Sequence, residues 1–344
     1  MPLVLHIDQV AWHRQIGALA SARPGLIPVA KGNGYGFGNR RLAQVAQAHG
    51  FTHLAVCTTT EAKQVADVFS GQIVVLTPLD PRTPDPPVEP PELAERTIRT
   101  VSSLVAAQHL PPGGRIAVEL ASPLRRYGLT PDQYAAAARQ IDRPIDALTL
   151  HLPLATSRFD EVAQAVFAAQ RAGLQTDELH VSHMPASAVE KLTAETGLLV
   201  RPRIGSELWL GAGTAISATG TVRAVHPVHR GDRVGYRRRR VPGTGQIVVV
   251  DGGTSHGVGL IAAPAGAGPR RRMRNLARAA AASLTGIVYS PYTLDGRRLR
   301  FADTPHAQTS MVWVPDGLRP PAVGEELPLR VRHTITQADD IVEL

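Results

Sequence analysis

Three lysines stand among the 37 basic side chains of this chain, Lys31, Lys63 and Lys191; every other basic position is arginine. Arginine in a protein neither loses its proton nor forms an imine, whereas lysine does both. A lysine kept on such a background is a candidate for covalent or proton-transfer chemistry. Lys63 and Lys191 lie in polar helical patterns (Glu61-Ala62-Lys63-Gln64-Val65 and Val189-Glu190-Lys191-Leu192) and are expected on the surface. Lys31 instead opens Lys31-Gly32-Asn33-Gly34-Tyr35-Gly36-Phe37-Gly38, directly after the apolar run Gly25–Ala30. Glycines in such a loop let the backbone approach a bulky ligand closely. At the end of a buried strand, partial desolvation favours the neutral amine, the form that attacks a carbonyl. A Gly-rich turn with a solvent-facing lysine is the plainer alternative.

Other side chains with chemical potential sit at similar places. His151 ends the apolar run Ala147-Leu148-Thr149-Leu150, and Glu119 and Arg126 occur in Val118–Gly128, where they suit either a site or an ordinary surface pair. His256 lies in Gly253-Thr254-Ser255-His256-Gly257, and an imidazole titrates near neutrality, as a base needs.

The elements that must position these residues divide the chain in two. The first part alternates short apolar runs with helical patterns. Strands are expected at Gly25–Ala30, Leu54–Val56, Ile73–Leu76, Thr97–Val101, Arg115–Leu120, Ala147–His151, Glu178–Ser182 and Leu198–Arg201. Helices are expected at Arg40–His49, Thr59–Val68, Pro131–Gln140, Asp160–Ala172 and Ala186–Thr196, with a Pro-rich loop at Pro78–Pro91. Short, nearly continuous apolar strands are buried on both faces, as in parallel sheets. About eight β/α units in this length fit a (β/α)8 TIM barrel, whose chemistry gathers at the C-terminal strand ends. Beyond it, Thr221–Val225, Arg233–Tyr236, Gln246–Val250, Gly286–Tyr289, Ser310–Val314 and Leu327–Val331 read as strands, with one helix candidate at Met273–Leu284. The expected organisation is an α/β barrel domain over residues 1–215 and a C-terminal mainly-β domain over residues 216–344.

Composition narrows the function classes. At 344 residues, 43% hydrophobic and 19% charged, the chain fits a globular protein with a sizeable core. No apolar run reaches the roughly 18 residues of a membrane span, and the N-terminus shows no signal-peptide pattern, so a cytoplasmic location is expected. Cys57 is the lone cysteine, which excludes an internal disulfide and a cysteine-based zinc site. The net charge of +8 is concentrated in Arg237–Arg240 and Arg270–Arg274, which lack interleaved aromatics, so no nucleic-acid partner is expected.

The Lys31 segment resembles the cofactor-lysine motif of the alanine racemase family, Lys-Ala-Asn-Ala-Tyr-Gly-His-Gly, with Gly at both Ala positions and Phe37 for His. The resemblance implies pyridoxal 5'-phosphate (PLP) held by Lys31, a barrel followed by a β-domain, and a homodimer whose β-domain completes the partner's active site. It implies that Tyr35 contacts the phosphate and that Lys31 is one of two acid/base groups. His151 falls where the family histidine lies against the cofactor ring. Leu199-Val200-Arg201-Pro202-Arg203-Ile204 resembles Val-Arg-Pro-Gly-Ile, which puts Arg201 at the pyridine nitrogen and leaves Arg203 as a departure. Arg126 matches the active-site arginine, and Glu119 falls on a lysine that is often carbamylated, so a native carboxylate takes the place of the modified, negatively charged side chain. For the phosphate the candidates are Ser182, Ser187, Gly205 and Ser206, because the family's Asn-Ser is missing. Met311 would line the substrate pocket. Thr254 stands where the family has its second catalytic tyrosine; His256, two residues on, is the preferred replacement, with Tyr236, Tyr289 and Tyr292 as further candidates. The resemblance implies racemisation of alanine or another small amino acid. The missing tyrosine keeps one-base chemistry open (dehydratase, aldolase or decarboxylase), as well as a non-catalytic PLP carrier.

Overall fold

A computed structural model describes residues 3–83, 90–110, 113–154, 159–260, 273 and 288–344. Apart from Met273, the helix expected at Met273–Leu284 and the cluster Arg270–Arg274 lie outside the described residues, as do the first two residues of Gly286–Tyr289. Contacts group the chain into two units, His13–Gly211 and Met1–Trp12 with Ala212–Leu344.

Unit His13–Gly211 is a closed parallel barrel. Its strands are β2 (Ile27–Pro28), β3 (His53–Val56), β4 (Gln72–Val75), β5 (Thr97–Val101), β6 (Arg115–Glu119), β7 (Ala147–Leu150), β8 (Glu178–Ser182) and β9 (Leu199–Ile204), numbered after β1 (Leu3–Ile7) of the other unit. They run in the order β2-β9-β8-β7-β6-β5-β4-β3. A parallel bridge between Val29 and Ala55 joins the two ends, with Ala30 N–H donating to Ala55 O at 2.8 Å. The helices flanking these strands are α1 (Gln9–Ala22), α2 (Asn39–Ala48), α3 (Thr59–Val65), α4 (Pro91–Glu95), α5 (Leu104–Gln108), α6 (Tyr134–Gln140), α7 (Phe159–Arg171), α8 (Ala186–Thr196) and α9 (Ser206–Leu210). Thr58 caps α3, its hydroxyl accepting from Glu61 N–H at 3.1 Å.

Strand alternation sorts the side chains into two cores. Ile27, Val29, Ala55, Val74, Ile98, Ala117 and Ala147 form one cluster inside the barrel. Val118, Leu148, Leu150, Leu179, Val181 and Val200 take the opposite parity and pack on the helices. The same parity turns Glu119, Thr149, His180, Ser182, Arg201 and Arg203 inward. One sector of the interior is thus polar, and burial of polar groups costs free energy unless they find partners.

Deep in that sector Arg201 donates twice to Glu178, at 2.8 and 2.9 Å, and His180 Nε2 lies 3.2 Å from the same carboxylate. His53 meets His180 edge-on at 6.1 Å. Burial, then Arg201 and His180, lower His53 to about 4. Burial raises Glu178, but hydrogen bonds from His180 and Arg201 outweigh it and bring the carboxyl to about 2. Each group binds fewer protons folded than unfolded, so its contribution to stability is full at neutral pH. That of His53 is lost as pH falls from 6.5 towards 4, and that of Glu178 below 4.5. The cost is at most about 1.4 kcal/mol per pH unit per group. The midpoint of urea unfolding of the cofactor-free protein should therefore drop steadily below pH 6.5, and His53→Asn should remove up to one proton from that slope. An unchanged slope in the variant would contradict the assignment.

The other unit is mainly β: β1, β10 (Ile216–Val228), β11 (Arg233–Val234), β12 (Arg239–Arg240), β13 (Gly245–Asp251), β14 (Tyr289–Leu294), β15 (Arg297–Phe301), β16 (Thr309–Pro315), β17 (Glu326–Leu329) and β18 (Asp340–Glu343). The large sheet has the order β13-β16-β15-β14-β17-β10-β1-β18, with β13 also pairing β10. The division at residue 215 is corrected at the N-terminus: β1 pairs antiparallel with β10 and parallel with β18, so the first residues belong with the β unit. Among the described residues no helix is long and apolar enough to cross a membrane.

Candidate active site

The Lys31 loop leaves the barrel at the C-terminal end of β2. Gly34 N–H donates to Lys31 O at 3.1 Å, and Asn39 Nδ2 donates to Gly32 O at 3.0 Å. Tyr35 sits in the left-handed region (φ 57°, ψ 26°), which turns its ring inward, where it is buried. Its hydroxyl bonds to Ser206, and burial nevertheless raises the phenol above its ordinary value. A Cβ on Gly205 would lie 2.0 Å from that hydroxyl, so only glycine admits the tyrosine here. Tyr35, Gly205 and Ser206 are thereby brought together, as expected for one polar cradle.

His151 stands at the same mouth with its orientation fixed. Ser182 Oγ lies 3.0 Å from His151 Nδ1 and accepts from Leu152 N–H at 3.0 Å, while Ser122 Oγ donates to His151 O at 2.5 Å. Burial, followed by the charges of Arg203 and Arg126, His183 and Lys31, lowers His151 to about 3, so its ring is neutral at physiological pH. Lys31, Arg126, His151, His183 and Arg203 therefore share one electrostatic neighbourhood. Glu119 joins it: burial raises this carboxyl, opposed by Arg203 and Arg126. Arg126 itself is exposed, its guanidinium 5.2 Å from the Tyr127 ring.

Several expectations need correction. Arg201 is not at the mouth; Glu178 holds it in the deeper layer. The arginine at the mouth is Arg203, two residues on and of the same strand parity. It is buried, Nη2 donates to Leu150 O at 3.0 Å, and desolvation brings it down to about 10, which still leaves it protonated at pH 7. Reading Arg203-Ile204-Gly205 as Arg-x-Gly shifts the motif by one strand repeat and would have found it. The Ser182 hydroxyl is spent on His151 and Leu152, which leaves it no role as a free phosphate donor. Ser187 is exposed in the first turn of α8. In the β unit, His256 is buried: Nδ1 accepts from Gly253 N–H at 3.1 Å and Nε2–H donates to Asp339 at 2.7 Å. With both ring nitrogens engaged it is a tether and not a free base. Met311 packs against the cluster of Val228, Val241 and Ile247. Tyr292 is buried, its hydroxyl donating to Asp251 O at 2.7 Å.

Two further features escaped the sequence reading. His183 has a left-handed backbone (φ 55°) and meets His151 edge-on at 5.4 Å. Glu61 accepts from Gly32 N–H at 2.9 Å and Cys57 N–H at 2.6 Å, stapling the Lys31 loop to the end of β3.

The family model for the N-terminal domain of alanine racemase matches residues 7–206. The chain belongs to the alanine racemase family. An alanine racemase of Deinococcus deserti is 40% identical over 131 residues, a stretch that spans 37% of this chain and only 36% of that protein. An alanine racemase structure from Bartonella henselae with covalently bound pyridoxal phosphate superposes with a TM-score of 0.68 at 15% identity, covering 100% of both chains. A histidine racemase from Leuconostoc mesenteroides superposes with a TM-score of 0.68 at 18% identity, covering 99% of this chain and 97% of that one. At these identities the structures establish the shared architecture, barrel plus strand-rich domain.

Proposed function

We propose that the chain is a PLP-dependent amino-acid racemase acting on alanine or another small amino acid. The observation that carries this reading is the meeting of Lys31, His151 and Arg203 with the Tyr35–Gly205–Ser206 cradle at one barrel mouth. These residues fit the cofactor. Lys31 Nζ would bind its aldehyde carbon, the Tyr35 and Ser206 hydroxyls would take the phosphate, and Arg203 would face the pyridine nitrogen. When bound, PLP draws electron density from the α-carbon of an attached amino acid.

The chain's own residues do the rest. Arg203 keeps its charge at pH 7, so beside a pyridine nitrogen it would hand over no proton, which would hold the electron sink weak and favour simple proton return. His151, neutral and pinned by Ser182, presents a flat apolar face without competing for protons. Glu119 and Arg126 form the charged wall expected to orient a substrate carboxylate and its environment. Lys31 takes or returns the α-proton on its own side. Two sides require two groups, which is why a homodimer with shared sites belongs to the reading.

The test is α-hydrogen exchange in deuterated water, followed by NMR on the PLP-loaded protein with L- and D-alanine. Deuterated alanine of both configurations is expected from either enantiomer. Ammonia or aldehyde from D-serine or D-threonine without racemisation would replace this reading with one-base chemistry, and a normal cofactor spectrum without turnover would reduce the protein to a carrier.

A further inference from the structure

The β unit holds a cavity of about 380 Å³, lined from β12, β14, β15 and the turn after β17. Arg239, Arg298, Arg330 and Arg332 all face it, and Asp303 is the one carboxylate on its wall among the described residues. Asp303 does not neutralise them. Its Oδ2 accepts from Tyr236 N–H at 2.6 Å, and its Oδ1 is buried without a partner among the described residues. Elsewhere in the chain arginines find carboxylates: Arg40 pairs with Asp67, Arg115 with Asp146, Arg201 with Glu178 and Arg223 with Asp251. Arg298, Arg330 and Arg332 form no such pair among the described residues. Guanidinium groups gathered around one cavity repel one another, and an anion between them relieves that cost.

The arginines are also held in place. Arg298 Nε donates to Ser290 O at 2.6 Å, and its guanidinium lies 5.9 Å from the Tyr289 ring. Arg300 stands at 5.6 Å from the same ring and continues the ladder to Trp313 at 5.9 Å. Arg330 N–H donates to Pro291 O at 3.1 Å, which ties its backbone to β14. Arg332 O closes a turn, accepting from Ile335 N–H and Thr336 N–H at 2.9 Å each. Beside the charges lie apolar surfaces from Tyr289 and Phe301. A guanidinium offers two parallel donors to a phosphate or carboxylate, while the apolar wall takes carbon. A cavity of this volume suits a small organic molecule and far exceeds a bare ion.

We propose that this cavity binds a small organic anion, one that carries two negative charges beside a flat apolar body. Arg298, Arg330 and Arg332 take the charged end, and Tyr289 and Phe301 cover the body. Phosphate monoesters and dicarboxylates share this chemistry. The site is built wholly from residues of the β unit, so it stands independently of the racemase reading.

Isothermal titration calorimetry on the PLP-saturated protein tests it with phenyl phosphate, phthalate, inorganic phosphate and phenol. At least one of the two organic dianions is expected to bind at one site per chain, about 10-fold or more tighter than inorganic phosphate or phenol. Tighter binding of phenyl phosphate assigns the site to phosphate esters; tighter binding of phthalate assigns it to dicarboxylates. Arg330→Gln and Arg332→Gln should each weaken binding by about 10-fold, the scale of one hydrogen bond to a charged group. Both side chains are exposed, so circular dichroism should match wild type. Tyr35→Phe, which alters the barrel cradle instead, should leave the affinity unchanged. Equal binding of inorganic phosphate or phenol, no binding of either dianion, full affinity in both arginine variants, or loss in Tyr35→Phe would each overturn the proposal.

Discussion

Lys31→Ala is expected to cost at least about 10³-fold in racemisation and to remove the bound-cofactor absorbance band, because one side chain serves as both covalent anchor and base. Lys31→Arg should do the same. Its guanidinium preserves the positive charge but forms no imine and gives up no proton. The pair of variants separates chemistry from electrostatics, since Lys31 also contributes charge to its neighbours His151 and His183. If charge alone mattered, Lys31→Arg would retain activity. Lys31 is exposed and belongs to no apolar cluster, so neither variant should unfold the barrel. Circular dichroism and urea midpoints near wild type, together with lost absorbance and exchange, are the expected combination. Retention of the band in Lys31→Ala would move the anchor elsewhere.

The barrel was legible because its strands carry a strong pattern. Glu178–Ser182 falls where a short, largely apolar run puts it, Thr97–Val101 is a strand although it is the most polar of the eight, and α8 spans Ala186–Thr196 as its pattern predicts. Apolar burial on both faces leaves a sequence trace that needs no knowledge of partners. β1 left no such trace of its destination: Leu3–Ile7 is a short apolar run like the others, and only its pairing with β10 and β18, hundreds of residues away, assigns it to the β unit. The site shows the same division. Lys31 and Tyr35 stand out in the sequence because a dense local motif surrounds them. Arg201 and Arg203 share one strand parity, so motif spacing alone does not choose between them; they differ in depth in the barrel, and depth is a tertiary property. His256 was misjudged for a related reason. An exposed base and a buried tether look alike in sequence until Asp339 arrives from the far end of the chain.

That two-residue shift leads to the other large effect. Arg203→Gln and Arg201→Gln change the same residue type on the same face of β9, yet opposite outcomes are expected. Arg203 lies at the mouth, where loss of its charge removes the group opposite the pyridine nitrogen and leaves Glu119 with less to oppose its upward shift. Activity per folded molecule should fall by about 100-fold, the scale of removing one preorganised charge from a water-poor site. Glu119→Gln combined with Arg203→Gln should restore stability without restoring rate, because the stranded carboxylate is gone and the ring partner is still missing. Arg201→Gln instead breaks a bidentate pair inside the barrel and strands Glu178, at a cost of about 3 kcal/mol. The urea midpoint should fall, while the rate per folded molecule stays near wild type. Paired measurement of unfolding and kcat on both variants decides the matter. If Arg201→Gln lost the rate and Arg203→Gln lost only stability, the motif would return to its first register, with Arg201 at the ring.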